Sequence, residues 1–166
     1  MQNVRIVTHS GCDLTFAEAR NNGIVMLPDL VVFGGEQYRN NVDIGPETFY
    51  RRLEEDAVFP TSAHPSLSEF IDAFRAAGDC QDIVCIVMSS KMTGTINTVN
   101  IAAQMLKSEG FGPRIHVYDS RQVSFGMGMA VLRRHAWPAR GQRLTRSWRI
   151  WTIWSPGSAS ILSCNR

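Results

Sequence analysis

Ile83-Val84-Cys85-Ile86-Val87-Met88-Ser89-Ser90-Lys91-Met92-Thr93-Gly94-Thr95 decides how this chain reads. An apolar run rich in β-branched residues, without a polar break, is the pattern of a strand covered on both faces. The run then gives way to hydroxyls, and Ile96, Val99, Ala103 and Leu106 follow at helical spacing. Strand, loop and helix N-terminus succeed one another. Free N–H groups and the positive end of a helix dipole face whatever enters such a loop, and the hydroxyls of Ser89, Ser90, Thr93 and Thr95 add donors. A carboxylate or a phosphate matches that chemistry.

The same alternation extends in both directions. Val4 to Thr8 is short and β-branched, Thr15 to Asn22 is helix-like with Gly23 placed to stop it, and Ile24 to Phe33 is an apolar stretch interrupted by Pro28. Gly34-Gly35-Glu36 and Asn40-Asn41 are turn chemistry around Gln37-Tyr38-Arg39, which predicts a small hairpin. Pro46 suits the first turn of a helix to about Glu54. Phe59-Pro60 then breaks the chain into a loop, Thr61-Ser62-Ala63-His64-Pro65. Ser66-Leu67-Ser68-Glu69 follows as a capping box before a helix closed by Gly78. Ile115 to Tyr118 is a further strand, leading through Asp119-Ser120 into a helix-like run past Met127, Ala130 and Val131.

This alternation predicts an α/β fold with a mainly parallel sheet flanked by helices. Ligands of such sheets bind beyond the carboxyl ends of the strands. Three strands here end in hydroxyl-bearing loops, Thr8-His9-Ser10, Ser89-Ser90 and Asp119-Ser120, and these converge on one edge. The Thr61-Ser62 loop, which also precedes a helix, is expected to join them.

The net charge of +2 averages two unlike parts. Residues 1–132 hold ten Lys or Arg against fifteen Asp or Glu, whereas residues 133–166 hold seven Arg and no acid. All four tryptophans, Trp137, Trp148, Trp151 and Trp154, fall in that tail. Residues 1–132 are therefore read as the folded domain and 133–166 as an aberrant Arg/Trp-rich tail. Arg interleaved with Trp is compatible with a nucleic-acid or membrane patch. The reading preferred over it is that of GC-rich coding DNA translated in a wrong frame, which predicts that an acid-containing α/β sequence continues in another frame.

Other chemistries lack their motifs. Cys12, Cys80, Cys85 and Cys164 form neither a Cys-x-x-Cys pair nor zinc spacing, which predicts buried reduced thiols and no metal or cofactor. His9 and His64 lie in the candidate loops without a carboxylate ligand pattern. Lys91 has no glycine-rich phosphate loop before it, and no Gly-x-Ser-x-Gly elbow or Ser-x-x-Lys pair is present. Hydroxyls without a paired base favour binding over catalysis, with a phosphoryl- or acyl-transfer enzyme as the alternative. No apolar run approaches the ~20 residues of a membrane span, and no signal peptide opens the chain, so a cytoplasmic protein is expected.

Taken in order, five segments resemble the DegV family of bacterial fatty-acid-binding proteins. Val4-Arg5-Ile6-Val7-Thr8-His9-Ser10 is similar to its opening strand and Thr-Asp-Ser loop. Phe33-Gly34-Gly35-Glu36-Gln37-Tyr38 with Val42-Asp43-Ile44 resembles its Gly-x-x-Tyr and Val-Asp-Ile signature. Thr61-Ser62-Ala63-His64-Pro65-Ser66 resembles its Thr-Thr-Ser-Gln-Pro-Ser loop. Ser89-Ser90-Lys91-Met92-Thr93-Gly94-Thr95 resembles Ser-Ser-x-Leu-Ser-Gly-Thr, and Val117-Tyr118-Asp119-Ser120 with Ser124, Gly126 and Gly128 matches the last motif. His9 stands where the family carries Asp, and Ala63 where it often carries Ser.

The resemblance implies a lipid-binding domain that holds a long-chain fatty acid by its carboxylate, with hydroxyls of Thr61, Ser62, Thr93 and Thr95 as ligands. Ser10, His64, Ser89, Asp119 and Ser120 are candidates for the site lining. It further implies a non-catalytic subunit that presents the acyl carboxylate to an ATP-binding fatty acid kinase partner. Family members run to nearly twice this length and enclose the alkyl chain with a second α/β domain. Burial contributes ~0.8 kcal/mol per methylene, so half-exposing a long chain is expected to cost several kcal/mol of affinity. A truncated, non-functional product is the reading that follows if that wall is missing.

Overall fold

The computed structural model of the chain describes residues 4–135. Strand β1 (Val4–His9) leads through a 3-10 turn at Ser10–Cys12 into helix α1 (Phe16–Asn21) and strand β2 (Ile24–Leu27). Strands β3 (Leu30–Phe33) and β4 (Glu36–Arg39) precede helix α2 (Pro46–Glu55) and the short strand β5 (Thr61–Ala63). Helix α3 (Leu67–Ala76), strand β6 (Asp82–Val87), helix α4 (Thr95–Ser108), strand β7 (Arg114–Asp119) and helix α5 (Ser124–His135) complete the order.

A parallel sheet in the order β2-β1-β6-β7 forms the centre, with every residue of β6 buried. Its alternation explains the unbroken apolar run. Ile83, Cys85 and Val87 pack with Phe70 and Phe74 of α3 and with Val99, Ala102 and Leu106 of α4. Val84 and Ile86 face the opposite way, onto Cys12, Leu14, Ala19 of α1 and Met127 and Val131 of α5. Helices thus cover both faces, as the periodicity predicts.

The helix starts follow from local chemistry. Thr15 and Ser66 each form a capping box, with Glu18 and Glu69 respectively, so that hydroxyl and carboxylate satisfy N–H groups the first turn leaves open. Pro46 opens α2, where a missing N–H costs nothing.

A second, antiparallel sheet in the order β4-β3-β5 departs from the sequence reading in two places. The apolar stretch Ile24 to Phe33 is split at Pro28-Asp29 into strands of different sheets. Pro28 has no N–H to give a ladder, so the run cannot continue as one strand. Thr61-Ser62-Ala63, expected as a loop, is strand β5, paired with Val32, Val31 and Leu30. Three residues are too short for any period to show, and the pairing uses backbone groups only. The β3–β4 hairpin turns at Gly34 and Gly35, with φ of 56° and 103°, a conformation glycine adopts without a Cβ penalty. Arg52 of α2 stacks on the rings of Phe33 and Tyr38, 4.5 and 5.3 Å from their centroids, and joins the helix to this sheet.

Candidate functional site

The chain runs from β1 outward to β2 and only later returns to β6 on the other side of β1. The β1–β6 boundary is thus the point where the strand order reverses, and a crevice is expected at its carboxyl end. The ladders end unevenly there. The β1–β2 pairing continues to His9 and Leu27 and the β6–β7 pairing to Val87 and Asp119, but the β1–β6 pairing ends at Val7 and Cys85. Beyond it, side chains take over from backbone. The Thr8 hydroxyl donates to the Ile86 carbonyl at 3.0 Å, and the His9 ring Nε2 accepts the Met88 N–H at 3.2 Å.

His9 is 1% exposed and fixed from both sides. Its Nδ1 lies 2.9 and 3.0 Å from the two carboxylate oxygens of Asp29. Because Nε2 accepts a backbone N–H, the proton sits on Nδ1 and points at Asp29, which sets a neutral tautomer. Asp29 also accepts from the Ser10 hydroxyl at 3.0 Å, while the Ser10 Oγ accepts the Asp29 N–H at 2.9 Å and the Asn40 amide at 3.3 Å. The Asn40 N–H closes the group on the Asp29 carbonyl at 2.8 Å. This cluster ties the end of β1, the β2–β3 connection, the end of β4 and the end of β6. Ser10, predicted to line the site, is 3% exposed and its hydroxyl is fully engaged here. Asp29 and Asn40 were not among the sequence candidates; Pro28-Asp29 between two apolar runs and the polar Asn40-Asn41 turn are the signals that mark them.

Across the crevice, the loop after β6 folds back on itself. The Ser89 carbonyl accepts the N–H groups of Met92 and Thr93, its Oγ accepts that of Lys91, and its own N–H reaches the Gln122 carbonyl. The Asp119 carboxylate accepts the N–H groups of Ser90 and Arg121, and the Ser120 hydroxyl closes a turn on Gln122. Ser89, Asp119 and Ser120 thus build the loop walls. Thr93 is the half-buried member of the next pair: its Oγ1 lies 2.5 Å from the Thr95 Oγ1 and accepts the Thr95 N–H at 3.0 Å. Thr95 is 0% exposed. Thr93 therefore presents a hydroxyl at the N-terminus of α4, with Thr95 beneath it. The N–H groups of Gly94 and Ile96 have no acceptor among the described residues.

Thr61 and Ser62 sit on the other sheet, opposite Val32 and Val31, exposed and without a side-chain hydrogen bond among the described residues. The His64 ring Nδ1 donates to the Pro65 carbonyl at 2.9 Å, which orients its half-buried ring. No hydrogen bond among the described residues joins Thr61 or Ser62 to Thr93 or Thr95. Cys12 and Cys85 are buried free thiols whose pKa values burial pushes up, which leaves them unreactive. Among the described residues no three His, Cys, Asp or Glu side chains gather as metal ligands, and no helix is long and apolar enough to cross a membrane. Cys164 and the Arg/Trp-rich tail past residue 135 lie outside the described residues.

A doubly covered parallel sheet with a hydroxyl-rich loop at its switch point defines a doubly wound α/β domain. The model of the DegV family, described as uncharacterised protein, matches residues 3–162, and the chain belongs to that family. A DegV domain-containing protein of Clostridium acetobutylicum is 36% identical over 134 residues, 80% of this chain and 47% of that protein. The chain spans about half the length of the curated relatives it matches. Among solved structures, a fatty-acid-binding DegV family protein from Thermus thermophilus is 29% identical, with a TM-score of 0.80 over 91% of this chain and 52% of its own. A stearic-acid-binding protein from Eubacterium ventriosum, 24% identical, has a TM-score of 0.79 over 88% and 51% of the two chains, and speaks for the fold alone.

Proposed function

We propose that this chain binds a long-chain fatty acid, with the carboxylate at the N-terminus of α4. The observation that carries the reading is the Thr93 hydroxyl, held by Thr95 beside the open N–H groups of Gly94 and Ile96 at the carboxyl edge of the parallel sheet. An anion there meets donors and the positive end of a helix dipole. Thr61 and Ser62 supply the opposing hydroxyls, which their exposed and unpaired state leaves available. Met92 on the loop after β6, Val123 on the loop after β7 and Phe125 in the first turn of α5, 69, 42 and 60% exposed, offer the alkyl chain an apolar path. The description of the Thermus thermophilus neighbour as fatty-acid-binding supports this class of ligand.

In this reading the protein is a cytoplasmic binding subunit that presents the carboxylate to an ATP-binding kinase. The domain is read as residues 1–132, with residues 133–166 as an Arg/Trp-rich, out-of-frame tail. The enzyme alternative is weakened by the geometry. Both nitrogens of His9 are engaged, the Ser10 hydroxyl is held on the Asp29 carboxylate it shares with His9, and the Ser89 hydroxyl accepts the Lys91 N–H, so these groups are committed to holding the loops.

Mass spectrometry of a denatured extract of the purified protein, followed by titration with a long-chain fatty acid, tests the proposal. Bound acyl chains, with affinity lost about tenfold or more in Thr93→Val, are expected. Finding no lipid and no binding refutes it for this chain. Turnover of ATP and fatty acid to acyl phosphate without an added kinase would establish the enzyme reading instead.

A further inference from the structure

We infer that His9 is a positioning residue for the anion-binding loop, and that adding a second proton to its ring releases that loop and with it the ligand. The inference rests on the proposed carboxylate site for its ligand, and on independent geometry for its mechanism.

Three observations converge. The backbone ladder between β1 and β6 stops at Val7 and Cys85, so the stretch from Met88 to Thr95 is not held to β1 by any strand pairing. What holds its first residue is the His9 Nε2, accepting the Met88 N–H at 3.2 Å. The ring has no freedom to turn away. Asp29 holds Nδ1 on one side, and Gly11 packs so closely that a Cβ there would lie 3.0 Å from the His9 Cε1 and 2.6 Å from the Met88 Cε.

A proton on Nε2 removes the lone pair that accepts the Met88 N–H and sets two N–H groups against each other beside a ring that is 1% exposed. Unmade hydrogen bonds between buried groups are costly, and this one is relieved by moving the Met88-Ser89 backbone away from β1. Such a shift displaces Ser89, whose carbonyl and hydroxyl anchor Lys91, Met92 and Thr93. The hydroxyl of Thr93 then leaves its place at the helix N-terminus. Asp29 is the charged group in contact with His9. The nearby strand-end loops carry Asp13, Lys91, Asp119 and Arg121, of which Asp13 accepts from Ser124 and Asp119 from the N–H groups of Ser90 and Arg121. None of these four is hydrogen-bonded to His9 among the described residues.

The predicted sign is that ligand is held at neutral pH and released as the medium becomes acidic. A ligand bound by a cationic His64 has the opposite sign, with binding lost as pH rises.

Two substitutions separate the bonds of His9. Gln in His9→Gln places an acceptor near the Nε2 position and does not titrate, whereas Asn in His9→Asn keeps a donor toward Asp29 and loses the acceptor for Met88. In the full chain, titration of a long-chain fatty acid between pH 8 and 5.5 is expected to weaken about tenfold in the wild type and stay flat in His9→Gln. His9→Asn is expected to bind about tenfold more weakly at every pH. A flat wild-type profile, or the same slope in His9→Gln, overturns the inference.

A readout without ligand keeps it distinct from the proposed function. In the ligand-free protein, the amide proton of Met88 is expected to shift and to lose hydrogen-exchange protection along the same titration, and to do neither in His9→Gln. An amide unmoved by pH in the wild type refutes the switch even if fatty acid binds. An amide that moves in a protein that binds no fatty acid refutes the carboxylate reading and leaves the switch standing.

Discussion

Replacing Gly128 by alanine tests how α5 is seated on the parallel sheet. A Cβ at this position would lie 2.4 Å from the carbonyl oxygen of Cys12, inside the 3.0 Å that real Cβ contacts respect. The helix or the turn after β1 must therefore move by at least 3.0 − 2.4 = 0.6 Å. The obstructing atom is backbone and cannot rotate aside. Overpacking of this kind costs ~1–3 kcal/mol. The intrinsic gain of Ala over Gly in a helix offsets about 1 kcal/mol of it, which leaves a net loss of up to about 2 kcal/mol. For a chain of this size that corresponds to a melting temperature lower by up to about 8 °C.

The matched control is Gly126→Ala on the same helix. There the nearest atom is the Gln122 Oε1 at 2.9 Å, the far end of a flexible side chain that can swing away. That variant should be neutral or more stable by up to ~1 kcal/mol. Urea and thermal unfolding followed by circular dichroism measure both. If Gly128→Ala unfolds at the same midpoint as Gly126→Ala, the close seating of α5 on Cys12 is wrong, and so is the placement of the loop that leads to His9 and Ser10.

Three further outcomes are expected. Phe74→Ala should lose ~3–5 kcal/mol of stability by urea titration, because Phe74 is 0% exposed in the cluster between α3, α4 and the sheet. At the other end of the sheet, burial acts to raise the pKa of Asp82, yet hydrogen bonds from Arg114 and His116, both at 2.8 Å, hold it below the usual value. A lowered folded pKa stabilises above the unfolded value of about 4 and is lost below it, so Asp82→Asn should be less stable by about 1–2 kcal/mol at pH 7 and should converge with wild type under acid. Translating the coding DNA past codon 132 in its other two frames should reveal an acid-containing α/β sequence; two frames without one would make the Arg/Trp-rich tail native.

The parallel half of the fold was legible because its signals are dense. Ile83 to Val87 shows both buried faces in one unbroken run, Thr15-Glu18 and Ser66-Glu69 show their helix starts by reciprocal hydrogen bonds, and the hydroxyls after β6 and β7 fall where strand ends must be. The antiparallel half was not. Thr61 to Ala63 pairs with residues some thirty positions earlier through backbone groups that are the same in every residue. The candidate site divides in the same way. Thr93 and Thr95 are neighbours in sequence and their pairing follows from helix-start chemistry, whereas the role of His9 depends on Asp29 and Met88, which no local pattern connects to it.

The cluster at Asp29 has a kinetic consequence. It gathers Ser10, Asp29 and Asn40 with His9 and Met88, and the last contact spans 79 positions along the chain. Loop closure over such distances is entropically costly until the strands themselves have formed, so these bonds close after the sheet rather than nucleating it. Weakening the cluster, for example by Asn40→Ala, should speed unfolding and leave the refolding rate nearly unchanged in stopped-flow measurements. The residues that shape the crevice would then govern how long the native state lasts, while the apolar core around β6 governs how fast it is reached.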